Sequence, residues 1–197
     1  DDMSSAIFID GPEGRLEARL DASAAPAKLA ILCHPHPLYG GDMHDRVLGI
    51  LADALIRRDV ATVRFNFRGV GASEGQFSGA GGEVDDLIAV IRWVRETYPE
   101  IPLTLGGYSF GAATVLSALA GSGATRALLI ALPAGRLSVT EPDGSIPVDV
   151  FAGDEDELLD LSALTKVPHL RVHRIDGADH FFTGRWEALR AVIDEVV

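Results

Sequence analysis

The sequence is short of sulfur, of positive charge and of long apolar runs, and each shortage closes off a class of function. A single cysteine, Cys33, excludes an intramolecular disulfide, so folding needs no oxidising compartment. Lysine and arginine total 17 against 29 aspartates and glutamates, a net charge of −12. A surface of that sign repels a phosphate backbone and an anionic lipid face, which argues against nucleic acid and membrane partners. No apolar stretch reaches the roughly 18 residues that a membrane span needs. Asp1 to Asp10 hold no basic region followed by an apolar run. No signal peptide is therefore expected there, and the cytoplasm is the default location.

What is present is an ordinary core-forming chain. Its 197 residues are 47% hydrophobic, enough to bury a core, and the expectation is one domain over 1–197. Ile7–Ile9 and Arg15–Leu20 flank Gly11-Pro12-Glu13-Gly14, the pattern of a hairpin. Short apolar runs at Leu29–Cys33, Thr62–Phe67, Leu103–Gly107, Ala127–Leu132, Val148–Phe151 and Leu170–Ile175 predict strands. Between them, helical spacing marks Val47 to Leu55, Val84 to Val94 and Ala112–Ala120, and Trp186, Leu189, Ile193 and Val196 mark a last helix. Strands alternating with helices predict an α/β fold: a mostly parallel central sheet with helices on both faces. In such sheets chemistry gathers just after the strands.

Gly107-Tyr108-Ser109-Phe110-Gly111 follows one of these strands and opens a helix of small residues. That is the setting of a G-x-S-x-G nucleophile elbow, where a strand turns sharply into a helix and the serine is held in a strained backbone conformation. The competing reading is a serine that only caps the helix. A second match, Gly71-Ala72-Ser73-Glu74-Gly75, is followed by Gln76-Phe77-Ser78-Gly79-Ala80-Gly81-Gly82, which does not read as a helix. It also sets a carboxylate beside any oxyanion, so it reads as a glycine-rich loop.

Of six histidines, His180 lies after a late strand, in Asp176-Gly177-Ala178-Asp179-His180-Phe181-Phe182, where a base for Ser109 belongs. His169 and His173 lie at the start of that strand or within it, and read as surface or core. The acid must follow another strand, and Gly153-Asp154-Glu155-Asp156-Glu157 follows Val148–Phe151. One of these carboxylates can orient the imidazole; both Asp154 and Asp156 are candidates. The order Ser, Asp, His is the one this kind of sheet uses.

Four stretches together resemble the α/β-hydrolase superfamily, and more closely its small lidless bacterial members related to dienelactone-hydrolase-like esterases. They are Cys33-His34-Pro35-His36-Pro37-Leu38-Tyr39-Gly40-Gly41, Arg64–Gly75, the Ser109 elbow and Asp179-His180-Phe181-Phe182. The resemblance covers nearly the whole chain. It implies that the acid follows G-x-x-D, which selects Asp156, and that Asn66–Gly75 is a loop near the site. It implies an oxyanion hole built from the Phe110 N–H and one N–H of the loop after Leu29–Cys33. Pro35 and Pro37 have none to give. Matching Gly40 to the family glycine favours Leu38; matching His34 to the histidine of an H-G-x loop favours His36. Leu38 is preferred. The resemblance implies no metal and no organic cofactor.

The resemblance and these residues together imply acyl transfer to water through an acyl-serine, the activity of a carboxylesterase-like serine hydrolase. The interval Pro133–Pro147 is too short for a helical cap domain. An open, shallow site follows, suited to small or short-chain esters, with Tyr39, Phe77, Phe110, Phe181 and Phe182 as candidates to line an apolar slot. The expected partner is a small-molecule ester, with monomer and homodimer both open. Two rival readings stand beside this one. His34, His36, Asp42 and His44 could form a metal-dependent hydrolase centre, although the spacing is irregular and two prolines restrict it. The same fold could also serve as a non-catalytic binding module. Cys33 is expected to be buried and inert.

Overall fold

The computed structural model describes residues 3–79 and 81–197. Strands β1 (Met3–Gly11) and β2 (Gly14–Ala22) form an antiparallel hairpin that pairs Ile9 with Leu16. The buried members Ile9, Leu16 and Ala18 follow the two-residue alternation that turns one face of a ribbon inward. Then come β3 (Lys28–Cys33), α1 (Arg46–Ile56), β4 (Val60–Phe65), α2 (Gly82–Thr97), β5 (Leu103–Tyr108) and α3 (Phe110–Leu119). β6 (Arg126–Ile130), β7 (Val148–Gly153), α4 (Leu161–Lys166), β8 (Leu170–Ile175) and α5 (Trp186–Val196) complete the chain.

The eight strands form one sheet in the order β1-β2-β4-β3-β5-β6-β7-β8, antiparallel only where β1, β2 and β4 meet. Helix α1 packs against α5, and α2 against α3. Leu29 to Cys33 are all fully buried, which requires cover on both faces of the sheet. The α/β architecture read from the alternating pattern is the one observed. Helices α1, α2 and α4 start where chemistry favours it. Asp45 accepts the Leu48 N–H at 2.9 Å to cap α1, and Asp160 accepts the Ala163 N–H at 3.2 Å to cap α4. Glu83 and Asp85 place negative charge in the first turn of α2.

Two segments carry news. The six-residue helix α4 is too short to leave a periodic signal. The stretch 133–147 is a loop with an isolated bridge between Ala134 and Leu137, so no cap rises over the sheet. The strand order also decides where a site can form. From β3 the chain moves outward to β4, then returns past β3 to β5, and continues the other way through β6, β7 and β8. Connections therefore diverge at the β3/β5 boundary, the position at the carboxyl ends of the strands where sheets of this kind place their sites.

Candidate active site

The elbow lies at that boundary. Ser109 has φ 55° and ψ −112°, a positive φ outside the helical and extended regions. Such a backbone costs on the order of 1–3 kcal/mol and persists only when its surroundings enforce it. Here they do. A Cβ at Gly111 would fall 2.1 Å from the Cys33 carbonyl oxygen, and one at Gly107 would fall 2.5 Å from the Gly111 carbonyl carbon. Only glycine lets β3 and the elbow approach so closely. The Ser109 N–H is tied to the Ile130 carbonyl at 2.8 Å. Its side chain makes no capping bond to α3, so Ser109 is not merely a helix cap.

Its oxygen instead lies 2.9 Å from His180 Nε2. His180 Nδ1 lies 2.7 Å from Asp156 Oδ2. The other Asp156 oxygen accepts the Leu158 N–H at 2.7 Å, which orients the carboxylate. Both His180 and Asp156 are buried. β5, β7 and β8 run parallel in one part of the sheet, with β6 between β5 and β7, so the loops that follow them lie at one rim. A Cβ at Gly153 would sit 2.2 Å from the Ala178 carbonyl oxygen, so glycine at the end of β7 lets the two late loops press together. Asp154, the other candidate acid, is committed elsewhere. It accepts the Gly177 N–H at 2.7 Å and faces Arg174 at 3.6 Å, bracing the turn that leads to His180.

One positioning residue escaped the sequence reading. The buried Tyr108 hydroxyl donates to the His180 carbonyl oxygen at 2.8 Å. Burial pushes its phenol far above the usual range, with Asp45, Asp156 and Asp179 adding to the effect, so it stays a neutral donor. The only sequence signal was its place inside the elbow motif. Asp179 closes the same loop by accepting the Phe181 and Thr183 N–H groups, each at 3.0 Å. The bond from Thr183 leads in holding its carboxyl below the usual range.

The loop after β3 departs from expectation. Pro37–Tyr39 forms one turn of 3₁₀ helix, and the Leu38 N–H donates to His36 Nδ1 at 3.1 Å. The preferred second oxyanion donor is therefore already engaged. The Tyr39 and Gly41 N–H groups both donate to the His36 carbonyl. Among the described residues, the His36 and Phe110 N–H groups have no hydrogen-bond partner.

The remaining candidates divide plainly. Rings of His36, Phe77 and Phe110 cluster, with His36 5.1 Å from Phe77 and 5.0 Å from Phe110. Tyr39 and Phe181 are exposed, and the Phe181 ring stands edge-on to His180 at 5.3 Å. Phe182 is a correction: it is fully buried beside Tyr108 in the core and lines no open slot.

Ser73, the serine of the second motif, donates to the Asn66 carbonyl at 2.7 Å and accepts the Glu17 N–H at 2.9 Å. It ties a loop to β2. His34 is buried, its Nδ1 2.7 Å from the Pro35 carbonyl, and its Nε2 accepts the Phe67 N–H at 3.1 Å. Both ring nitrogens are occupied, and burial pushes its pKa down to about 4. His34 cannot join a metal centre with His36 and His44. Among the described residues no cluster of histidine, cysteine and acidic side chains could hold a metal ion. Cys33 is buried, and burial raises its thiol pKa. No helix among the described residues is long and apolar enough to cross a membrane.

Sheet order, elbow and histidine loop together define an α/β serine hydrolase without a lid. Comparison with known proteins agrees. Residues 26–143 match the Hydrolase_4 family, described as serine aminopeptidase, S33, and the chain belongs to that family. It is similar to XC6422 of Xanthomonas campestris, an α/β serine hydrolase without lid. The two share 37% identity over 98% of this chain and 92% of that one, with a TM-score of 0.89. An α/β serine hydrolase homologue from Coxiella burnetii shares 33% identity over 98% and 97% of the two chains, with a TM-score of 0.90. The uncharacterized protein RP471 of Rickettsia prowazekii is 30% identical over 96% of this chain and 87% of its own.

Proposed function

We propose that this serine hydrolase cleaves small carboxylic esters through an acyl-serine formed on Ser109. The observation that carries the reading is the unbroken relay of 2.9 Å from Ser109 to His180 and 2.7 Å from His180 to Asp156. With Asp156 accepting from Nδ1, the imidazole keeps its proton there and presents a bare Nε2 to the serine hydroxyl. His180 takes the serine proton as Oγ attacks the ester carbonyl. It returns that proton to the leaving alcohol, then repeats the sequence with water to release the acid.

The Phe110 N–H, at the positive end of α3, is the first oxyanion donor. The second is the His36 N–H, which supersedes Leu38 because no protein group occupies it. The Gly111 contact with Cys33 brings the start of the β3 loop against the elbow, where two amides can converge on one oxygen. The absence of a cap favours small soluble substrates over long lipid tails. The small ester is the partner this reading requires, and the buried free thiol of Cys33 suits a reducing cytoplasm.

A fluorophosphonate probe tests the nucleophile. Ser109 is expected to be the labelled residue, and Ser109→Ala to lose activity on the order of a millionfold. A panel of 4-nitrophenyl esters should run beside an aminoacyl 4-nitroanilide, because the family is described by a serine aminopeptidase. Ester turnover with little anilide turnover supports the proposal. Preference for the anilide would replace it with a peptidase, and full ester activity in Ser109→Ala would reject it.

A further inference from the structure

The loop between β4 and α2 is anchored by buried charge that the triad chemistry does not use. Arg68 donates from Nη2 to Asp86 Oδ1 at 2.8 Å and to the Gly82 carbonyl at 2.8 Å. Its own backbone N–H reaches Asp86 Oδ2 at 2.9 Å. Glu83 accepts the Ser78 N–H at 3.1 Å and the Ser78 hydroxyl at 2.7 Å, and lies 3.7 Å from Arg68 Nε. Arg68, Glu83 and Asp86 are all buried. Such groups are costly to desolvate, and removing one partner leaves a stranded charge, so the lock strongly favours one loop conformation.

The residue it sets is Phe77, adjacent to Ser78. The Phe77 ring lies 5.1 Å from His36 and 6.0 Å from Phe110. Phe110 follows the nucleophile and packs on the fully buried Phe67 at 5.7 Å. Tyr39, 87% exposed, extends the cluster 4.8 Å from His36. Three chain segments thus build one ring wall, and two of them carry the amides assigned to the oxyanion. His36, Phe77 and Phe110 remain partly exposed. Their interplanar angles of 47°, 56° and 62° offer an incoming ring both faces and edges. The wall offers no cation either: burial lowers the His36 pKa, and its Nδ1 is already engaged.

Resting on the esterase reading, we infer that Phe77 is a specificity-determining residue held in place by Ser78 and Glu83, and that the wall it completes binds an uncharged aromatic acyl group of about benzoyl size.

The experiment measures kcat and KM for 4-nitrophenyl benzoate and 4-nitrophenyl acetate in wild type, Phe77→Ala, Phe77→Leu and Ser78→Ala. In Phe77→Ala the benzoate-to-acetate ratio of kcat/KM should fall about tenfold, mainly through the KM for benzoate. Ser78→Ala should lower the ratio in the same direction by a smaller factor, and Ser78→Thr should recover part of it. Phe77→Leu supplies the comparison if the alanine variant does not fold. A ratio that stays within twofold in the Phe77 variant, while wild type hydrolyses acetate and labels at Ser109, overturns the acyl wall alone. Wild type that neither labels nor hydrolyses either ester overturns the esterase reading and this inference with it.

Discussion

Replacing Asp156 by asparagine changes one atom in the relay and inverts its logic. The carboxylate accepts from His180 Nδ1 at 2.7 Å and from the Leu158 N–H at 2.7 Å. In Asp156→Asn one oxygen can still take the Leu158 N–H, which points the new NH₂ group at the imidazole. His180 Nδ1 must then accept, its proton moves to Nε2, and Nε2 loses the lone pair that receives the serine proton. Asp154, the other candidate acid, is held by the Gly177 N–H at 2.7 Å and is not placed to step in. A wrong tautomer of this kind costs about ten-thousandfold in kcat, about 5 kcal/mol of transition-state stabilisation. The side chain is nearly isosteric and the fold should survive, so circular dichroism and thermal unfolding should resemble wild type. Steady-state hydrolysis of a 4-nitrophenyl ester reads the loss, with Asp154→Asn measured alongside. Asp154→Asn should lose less than about tenfold, since it disturbs a brace and not the imidazole. If Asp156→Asn retained activity within tenfold of wild type, or if Asp154→Asn fell further, the assignment of the acid would be wrong.

Tyr108→Phe removes the donor to the His180 carbonyl and leaves that oxygen buried and unpaired. Urea denaturation should show a loss of about 1–3 kcal/mol. kcat should drop about 10- to 100-fold with little change in KM, as the base loosens; an unchanged kcat would remove Tyr108 from the positioning machinery. His34 is depressed to about 4 by burial, below its unfolded value of 6.5. Its contribution to stability is therefore complete above about pH 6.5 and is lost as pH falls toward 4, at up to about 1.4 kcal/mol per pH unit. Imidazole NMR resonances should show His34 titrating near pH 4 as the Nδ1–H tautomer, and titration at 6 or above would contradict the buried bridge. Ser73→Ala should cost about 1–3 kcal/mol in denaturation, because it breaks one bond to Glu17 of β2 and one to the Asn66 carbonyl just after β4, yet leave fluorophosphonate labelling intact. Loss of labelling in a folded Ser73→Ala protein would make the second motif the nucleophile.

Much of the scaffold was legible because its signals are local. Apolar runs such as Leu29–Cys33 and Leu103–Gly107 are followed by motifs that only make sense at strand ends, and those motifs held Ser109 and His180. The acid was less legible, since Asp154 and Asp156 differ by two positions in one acidic turn. Which of them faces the imidazole depends on how the turn packs against Gly177 and Ala178. The preference for Leu38 over His36 likewise had no local signal of amide direction to rest on. The direction of an amide is set by the 3₁₀ turn and by the His36 ring folding back on it. Phe181 and Phe182 are adjacent and chemically identical, yet one is exposed and the other lies in the core, because Phe182 takes a positive φ of 55° within the His180 loop. The lock of Arg68, Asp86, Glu83 and Ser78 left no local pattern, since its members come from a loop and a helix and meet only after folding.

By its own pattern, then, the sequence determined the alternation of strands and helices, the glycine-flanked elbow, and the two late loops that hold Asp156 and His180. These follow from backbone sterics and hydrophobic period, which act over a few residues. The tertiary structure alone decided which amide is left free beside Phe110 and which aromatic rings face outward, and it brings Asp156, the carboxylate that the resemblance selected, to His180. Those outcomes depend on a sheet whose strand order reverses at β3 and β5 and presses distant loops into contact.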